Sequence, residues 1–167
     1  MNIKSACLAI LTVSLLGACG SKPATPAQGA AAGAPPPAEA AGVASKDFGD
    51  YVVHFVAIST DQLTAEVAKA YNIVRSRNRA LLNVSILKKM AGTTGQPVPG
   101  SVAALVANDT GQVKDTNLRE IREGDAIYYV ADFAVSNAET LIFTVDVTPI
   151  NETSRFSVRF TRTFYDE

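Results

Sequence analysis

Between residues 51 and 164 apolar and polar side chains alternate, and this two-residue period constrains the fold more than any other feature of the chain. Successive side chains on a strand point to opposite faces, so the pattern buries one face and leaves the other to water. Seven stretches carry it. The first spans 51–58, the second 79–87 with Ala80, Leu82, Val84 and Ile86 on one face, and the third 101–108. A more polar fourth, 112–121, reads as an edge strand, whereas the fifth, 125–135, is apolar on both faces and reads as central. The sixth, 139–147, turns Leu141, Phe143, Val145 and Val147 inward, and the seventh sets Phe156, Val158, Phe160 and Phe164 on one face. Polar turns such as Asn108-Asp109-Thr110-Gly111 and Glu123-Gly124 separate them.

One segment breaks the period. Ser59-Thr60-Asp61-Gln62 fits a capping box, in which hydroxyl and Gln side chain satisfy free helix N–H groups. Leu63, Val67, Ala70 and Tyr71 follow at helical spacing, and Asn72 suits a left-handed stop. The expected fold is therefore mainly β: a seven-stranded antiparallel sandwich of immunoglobulin-like architecture. One short helix, between the first and second strands, is expected to cap an end of the sandwich. The paired cysteines and tryptophan of true immunoglobulin domains are missing.

The amino terminus carries a different message. Lys4 is followed by the apolar run 6–16, too short for a bilayer core that needs roughly 20 apolar residues. A positive start and a short apolar run make a signal peptide. It ends in Leu16-Gly17-Ala18-Cys19, which resembles the lipobox of bacterial lipoprotein precursors. That resemblance implies cleavage after residue 18 and lipid on the Cys19 thiol. Several acyl chains give stable attachment where one alone is marginal. Gly20 stands where an Asp would resemble an inner-membrane retention signal, which favours the outer membrane, facing the periplasm.

Residues 19–46 read as a lipidated, disordered tether rich in Ala, Pro and Gly, leaving 47–167 as the folded domain. Lys4, Lys22, Lys46 and Glu39 precede Asp47, so of 15 basic and 16 acidic residues the domain keeps twelve and fifteen, a net charge of −3. A nucleic-acid partner needs a clustered basic excess and is not expected. With Cys7 in the signal and Cys19 acylated, the domain has no thiol for a disulfide, a redox centre or a nucleophile.

Chemistry-bearing residues are sparse. His54 is the single histidine and shares a face with Val52, Val56 and Ile58, where it reads as a hydrogen-bonded structural residue. A hydrolase would have to use it, and no Gly-x-Ser-x-Gly elbow accompanies it. One histidine and no domain cysteine leave no ligand set for zinc or copper, so no metal or cofactor is expected. Asp109, Asp115, Glu120, Glu123 and Asp125 lack the spacing of a calcium loop. Arg75, Arg77 and Arg79 would project to one side of an extended backbone, with Asn72 and Asn83 nearby. Such a stripe suits a carboxylate or phosphate, unless neighbouring carboxylates satisfy it. Arg155 and Arg159 lie on the outward face of the seventh strand.

Four stretches carry a family resemblance: Tyr51-Val-Val-His-Phe55, residues 63–71, residues 75–86, and Phe160-Thr-Arg-Thr-Phe-Tyr165. Together they resemble the bacterial family of exported proteins known as domain of unknown function 4426. The resemblance implies a small β-rich exported domain and supplies no activity or catalytic residues. The expected function is a non-enzymatic periplasmic module that binds an envelope protein or component while held by its lipid. Two other expectations stand beside it: an anion-binding domain using Arg75, Arg77, Arg79 and Asn83, and a hydrolase using His54. The Cys19→Ser chain is expected to leave the membrane fraction and lose metabolic palmitate label; retention of both would contradict the anchor.

Overall fold

The computed structural model describes Glu39 and residues 44–165; the signal segment, Cys19 and most of the expected tether lie outside the described residues. Nine strands are present among the described residues: β1 (Ser45–Phe48), β2 (Tyr51–Ser59), β3 (Arg79–Lys88), β4 (Gln96–Pro97), β5 (Gly100–Asn108), β6 (Arg119–Glu123), β7 (Ala126–Ala134), β8 (Glu139–Pro149) and β9 (Phe156–Phe164). They build two antiparallel sheets. The larger runs β1-β2-β3-β7-β6, with β4 also on β3, and the smaller runs β5-β8-β9.

The inward faces meet in one core. Val53, Leu82, Val84 and Ile86 of the larger sheet, and Leu141, Phe143, Val145, Val147 and Val158 of the smaller, are wholly buried. Phenylalanines bridge the two layers. Phe143 stacks on Phe160 at 4.6 Å, Phe160 meets Phe55 at 4.8 Å, and Phe143 meets Phe133 at 6.1 Å. Offset and tilted rings at these separations are favourable beyond the area they bury, by about 0.5–1.5 kcal/mol a pair.

Six of the seven expected strands fall within two residues of their expected bounds, and the sandwich is as expected. The fourth differs. Residues 112–118 form one β-bridge to the smaller sheet, Val113 to Ala107, with Lys114 N–H donating to the Val106 carbonyl, the Thr116 hydroxyl donating to the Ala104 carbonyl and Lys114 pairing with Glu139. The chain then crosses to the larger sheet, where β6 forms its edge. Polar alternation without a buried face gave the appearance of a longer strand. At the start of the domain, strand pairing begins at Ser45, and Glu39 is already bonded to it. Its N–H donates to the Arg159 carbonyl and its carboxylate pairs with Lys46. Glu39, Ser45 and Lys46, within the span expected as tether, thus make contacts to the domain.

The helix also begins later than expected. Ser59 makes no side-chain cap and leads into a 3-10 turn, Thr60–Gln62. The Thr60 hydroxyl is buried against the 74–76 backbone, accepting from Ser76 N–H at 2.9 Å and lying 2.9 Å from the Val74 carbonyl. That tie stops the helix from starting there. Thr64 caps α1 (Ala65–Ala70) by accepting from Val67 N–H, and Asn72 takes the left-handed conformation at φ 52°. Instead of capping an end of the sandwich, this segment lies on the outward face of the larger sheet. Ile73, Leu63 and Tyr71 pack there over Leu81 and Val130, a second, smaller core.

Gly100 is held at a close approach between the layers. Its N–H donates to Tyr129 Oη at 2.8 Å, and an added Cβ would lie 2.5 Å from the Thr148 carbonyl oxygen. Because that contact is with backbone, a rotamer change cannot relieve it. Gly100→Ala is expected to destabilise the fold by about 1–3 kcal/mol in urea unfolding; a loss below about 0.5 kcal/mol would contradict the packing.

Candidate functional site

With both inward faces consumed by the core, functional side chains must stand on outward faces or at the ends. On the larger sheet the outward positions are Val52, His54, Val56 and Ile58 of β2, and Arg79, Leu81, Asn83, Ser85 and Leu87 of β3. The segment carrying α1 covers Ile58 and Leu81. The other half of the face stays open.

That open half is grooved, for a reason set by strand pairing. β7 follows β3 as far as Val84 opposite Tyr129, and β4 takes up the same edge only at Leu87 opposite Pro97. Between them β7 diverges, and Val98 N–H bonds the Ile86 carbonyl instead. His54, Ser85, Leu87, Pro97, Ile127 and Tyr128 line the resulting groove, about 350 Å³ in volume. A shallower recess joins it at His54 and Ser85 and runs on to Val56, Asn83 and Ala44. The combined surface is apolar with a line of hydrogen-bonding groups from neighbouring strands, where His54 pairs in register with Ser85 and Asn83 with Val56.

His54 is exposed on this face and makes no hydrogen bond or ion pair among the described residues, which corrects its reading as a hydrogen-bonded structural histidine. Among the described residues, no carboxylate lines either part of the groove. Asn83 is the other departure from ordinary packing. Its Oδ1 is buried and accepts no hydrogen bond among the described residues. A buried unpaired carbonyl costs roughly 1–3 kcal/mol.

The arginine stripe takes a different form from the one expected. Arg77 and Asn78 lie in a turn, so only Arg79 sits on a strand and the extended one-sided array does not form. Arg75 donates to the Asp61 carbonyl at 2.8 Å, and Arg77 stands 3.9 Å from the Asp61 carboxylate. Arg79 instead turns onto the larger sheet, where Asp132 accepts from Arg79 and from Arg119. Arg119 also donates to the Tyr71 carbonyl at 2.8 Å, clamping the end of α1 to β6. Burial raises the Asp132 carboxyl pKa, but donation from the two guanidiniums outweighs it and holds the group below its ordinary range. Asn83 lies on the groove and apart from these arginines' contacts, so the four residues do not make one site.

Sequence reasoning missed Ser85, Leu87 and Tyr128 as site residues. Their outward positions were legible from alternation, but the fork between β4 and β7 that opens the groove was not.

The comparisons with known proteins bear on the whole domain. The family model described as domain of unknown function (DUF4426) matches residues 45–167. A solved DUF4426 family protein from Pseudomonas aeruginosa is 30% identical, covering 74% of this chain and 94% of its own at a TM-score of 0.63. FetP from a uropathogenic Escherichia coli strain, expressed in the periplasm, is 10% identical over 72% of this chain and 92% of its own, at 0.51. A copper-bound variant of FetP is 13% identical, over 72% and 93%, at 0.52. The two FetP likenesses are of fold alone. No curated protein matches the chain.

Replacing Asn83 by Val removes the unpaired carbonyl and installs a good strand former between Val56 and Val130. The variant is expected to gain about 1 kcal/mol in urea unfolding; a loss of stability would show that Asn83 serves the fold.

Proposed function

Given that the chain belongs to the DUF4426 family, we propose that it is a non-enzymatic binding module of the bacterial envelope. Lipid on Cys19 holds it at the membrane, facing the periplasm and favouring the outer membrane. It engages an envelope protein or component through the groove lined by His54, Asn83, Ser85 and Tyr128. The observation that carries this reading is the open, largely apolar groove itself, with the exposed His54 imidazole on its lining.

The groove's chemistry suits a partner segment with apolar side chains and a few hydrogen-bonding groups. Leu87, Pro97 and Ile127 supply the apolar floor, and imidazole, hydroxyl and phenol groups punctuate it. Edges and outward faces are the usual working surfaces of sandwich domains, because the interior is filled.

Copper in the FetP variant does not carry over. Among the described residues no three His, Cys, Asp or Glu side chains are placed to hold a metal, and His54 is the chain's single histidine. The donor set does not fit a copper centre of imidazoles and thiolates.

The test is site-specific photocrosslinking in whole cells of the full chain. A photoreactive residue at Ser85 or Leu87 is expected to give the same discrete adduct, and one at Thr161, outward on the smaller sheet, none. Adding His54→Ala with Asn83→Val should reduce the adduct at least several-fold. Equal capture from Thr161, or no adduct at Ser85 and Leu87, would overturn the assignment.

A further inference from the structure

A second cleft, of about 230 Å³, lies where the 3-10 turn meets the end of β9, and its lining includes Asp61, Gln62, Arg162, Phe164 and Tyr165. Arg162 is out of place by the strand's own pattern. It falls in the inward register with Val158, Phe160 and Phe164, which are buried, and opposite Leu141, which is wholly buried. Yet the Arg162 side chain makes no hydrogen bond or ion pair among the described residues, and the residue is exposed. A guanidinium in a phenylalanine register emerges only at the end of the sandwich, and there it faces the cleft.

Two more guanidiniums reach the same turn. Arg75 is fastened to the Asp61 carbonyl, and Arg77 lies 3.9 Å from the Asp61 carboxylate, a loose and exposed pairing free to rearrange. We propose that this cleft binds a small anion through a carboxylate or phosphate group. Arg162, on the lining, holds it by charge-assisted hydrogen bonds, and Gln62 and Tyr165 add neutral ones. Planar guanidiniums present paired donors that match either oxyanion. Arg75 and Arg77, held at Asp61, add positive charge at the turn that borders the cleft. The site is independent of the groove on the larger sheet, and it brings together residues 75–77 and 160–165, two segments that carry the family resemblance.

The test titrates phosphate and citrate, at constant ionic strength, into the full mature chain carrying Cys19→Ser, followed by nitrogen-15 NMR. Saturable shifts confined to residues 59–62, 75–77 and 162–165 are expected. Arg162→Gln should weaken binding at least tenfold, and Arg77→Gln several-fold. Arg159→Gln, on the opposite face of the same strand, should bind as the parent does. Cosedimentation with phosphatidylglycerol but not phosphatidylcholine vesicles, dependent on Arg162, would assign the oxyanion to a lipid headgroup. Absence of cosedimentation alongside saturable phosphate shifts would assign it to a soluble anion. Equal effects of Arg162→Gln and Arg159→Gln, or shifts that never saturate, would overturn the proposal.

Discussion

The contact on which the molecule depends is the run of rings from Phe55 through Phe160 and Phe143 to Phe133. It passes from the larger sheet to the smaller and back, and a second set of rings, Phe48, Phe156 and Tyr51, does the same near the start of β2. Neither sheet can bury its inward face alone, so the rings and the aliphatic side chains around them make two sheets into one core. Because that core takes the inward positions of β2, β3 and β8 except at their polar ends, Ser59, Lys88 and Glu139, chemistry is confined to outward faces and to the ends of the sandwich.

The outward face of the larger sheet is then divided by a single hydroxyl. Thr60, buried against the 74–76 backbone, holds the segment 60–76 in a course that lays Leu63, Tyr71 and Ile73 on Leu81 and Val130. Arg119 reinforces it by joining the Tyr71 carbonyl to Asp132 and, through it, to Arg79. This covered half gives the sheet a second layer. The uncovered half keeps the groove between β4 and β7, with Asn83 unpaired beside it. The same turn that starts the covering segment, Thr60–Gln62, holds Arg75 and Arg77 through Asp61 and lines the cleft that Arg162 faces.

What the sequence disclosed and what it hid follow from how far each signal reaches. Strands with a buried face announced themselves, since Leu82, Val84 and Ile86 must alternate to fill a core. β1 and β4 did not, being short, polar or proline-bearing, and held by their partners. The arginine stripe was misjudged because alternation applies only where the backbone is extended, and Arg77-Asn78 turns. His54 was placed on the right face, but its freedom from hydrogen bonds depends on what three neighbouring strands bring near it. Arg162 was the overlooked clue. It broke an inward phenylalanine register in plain sight, and only the end of the sandwich explains how it does so without burial.

The central claim is that the open half of the larger sheet is the working face of an envelope-anchored domain. Hydroxyl-radical footprinting of the full chain, purified and again in intact envelopes, tests it most directly. Protection of His54, Leu87, Pro97 and Tyr128 in the envelope, with Leu105 on the smaller sheet equally reactive in both, is the predicted result. Protection of Leu105 without change at His54 and Tyr128 would contradict the account.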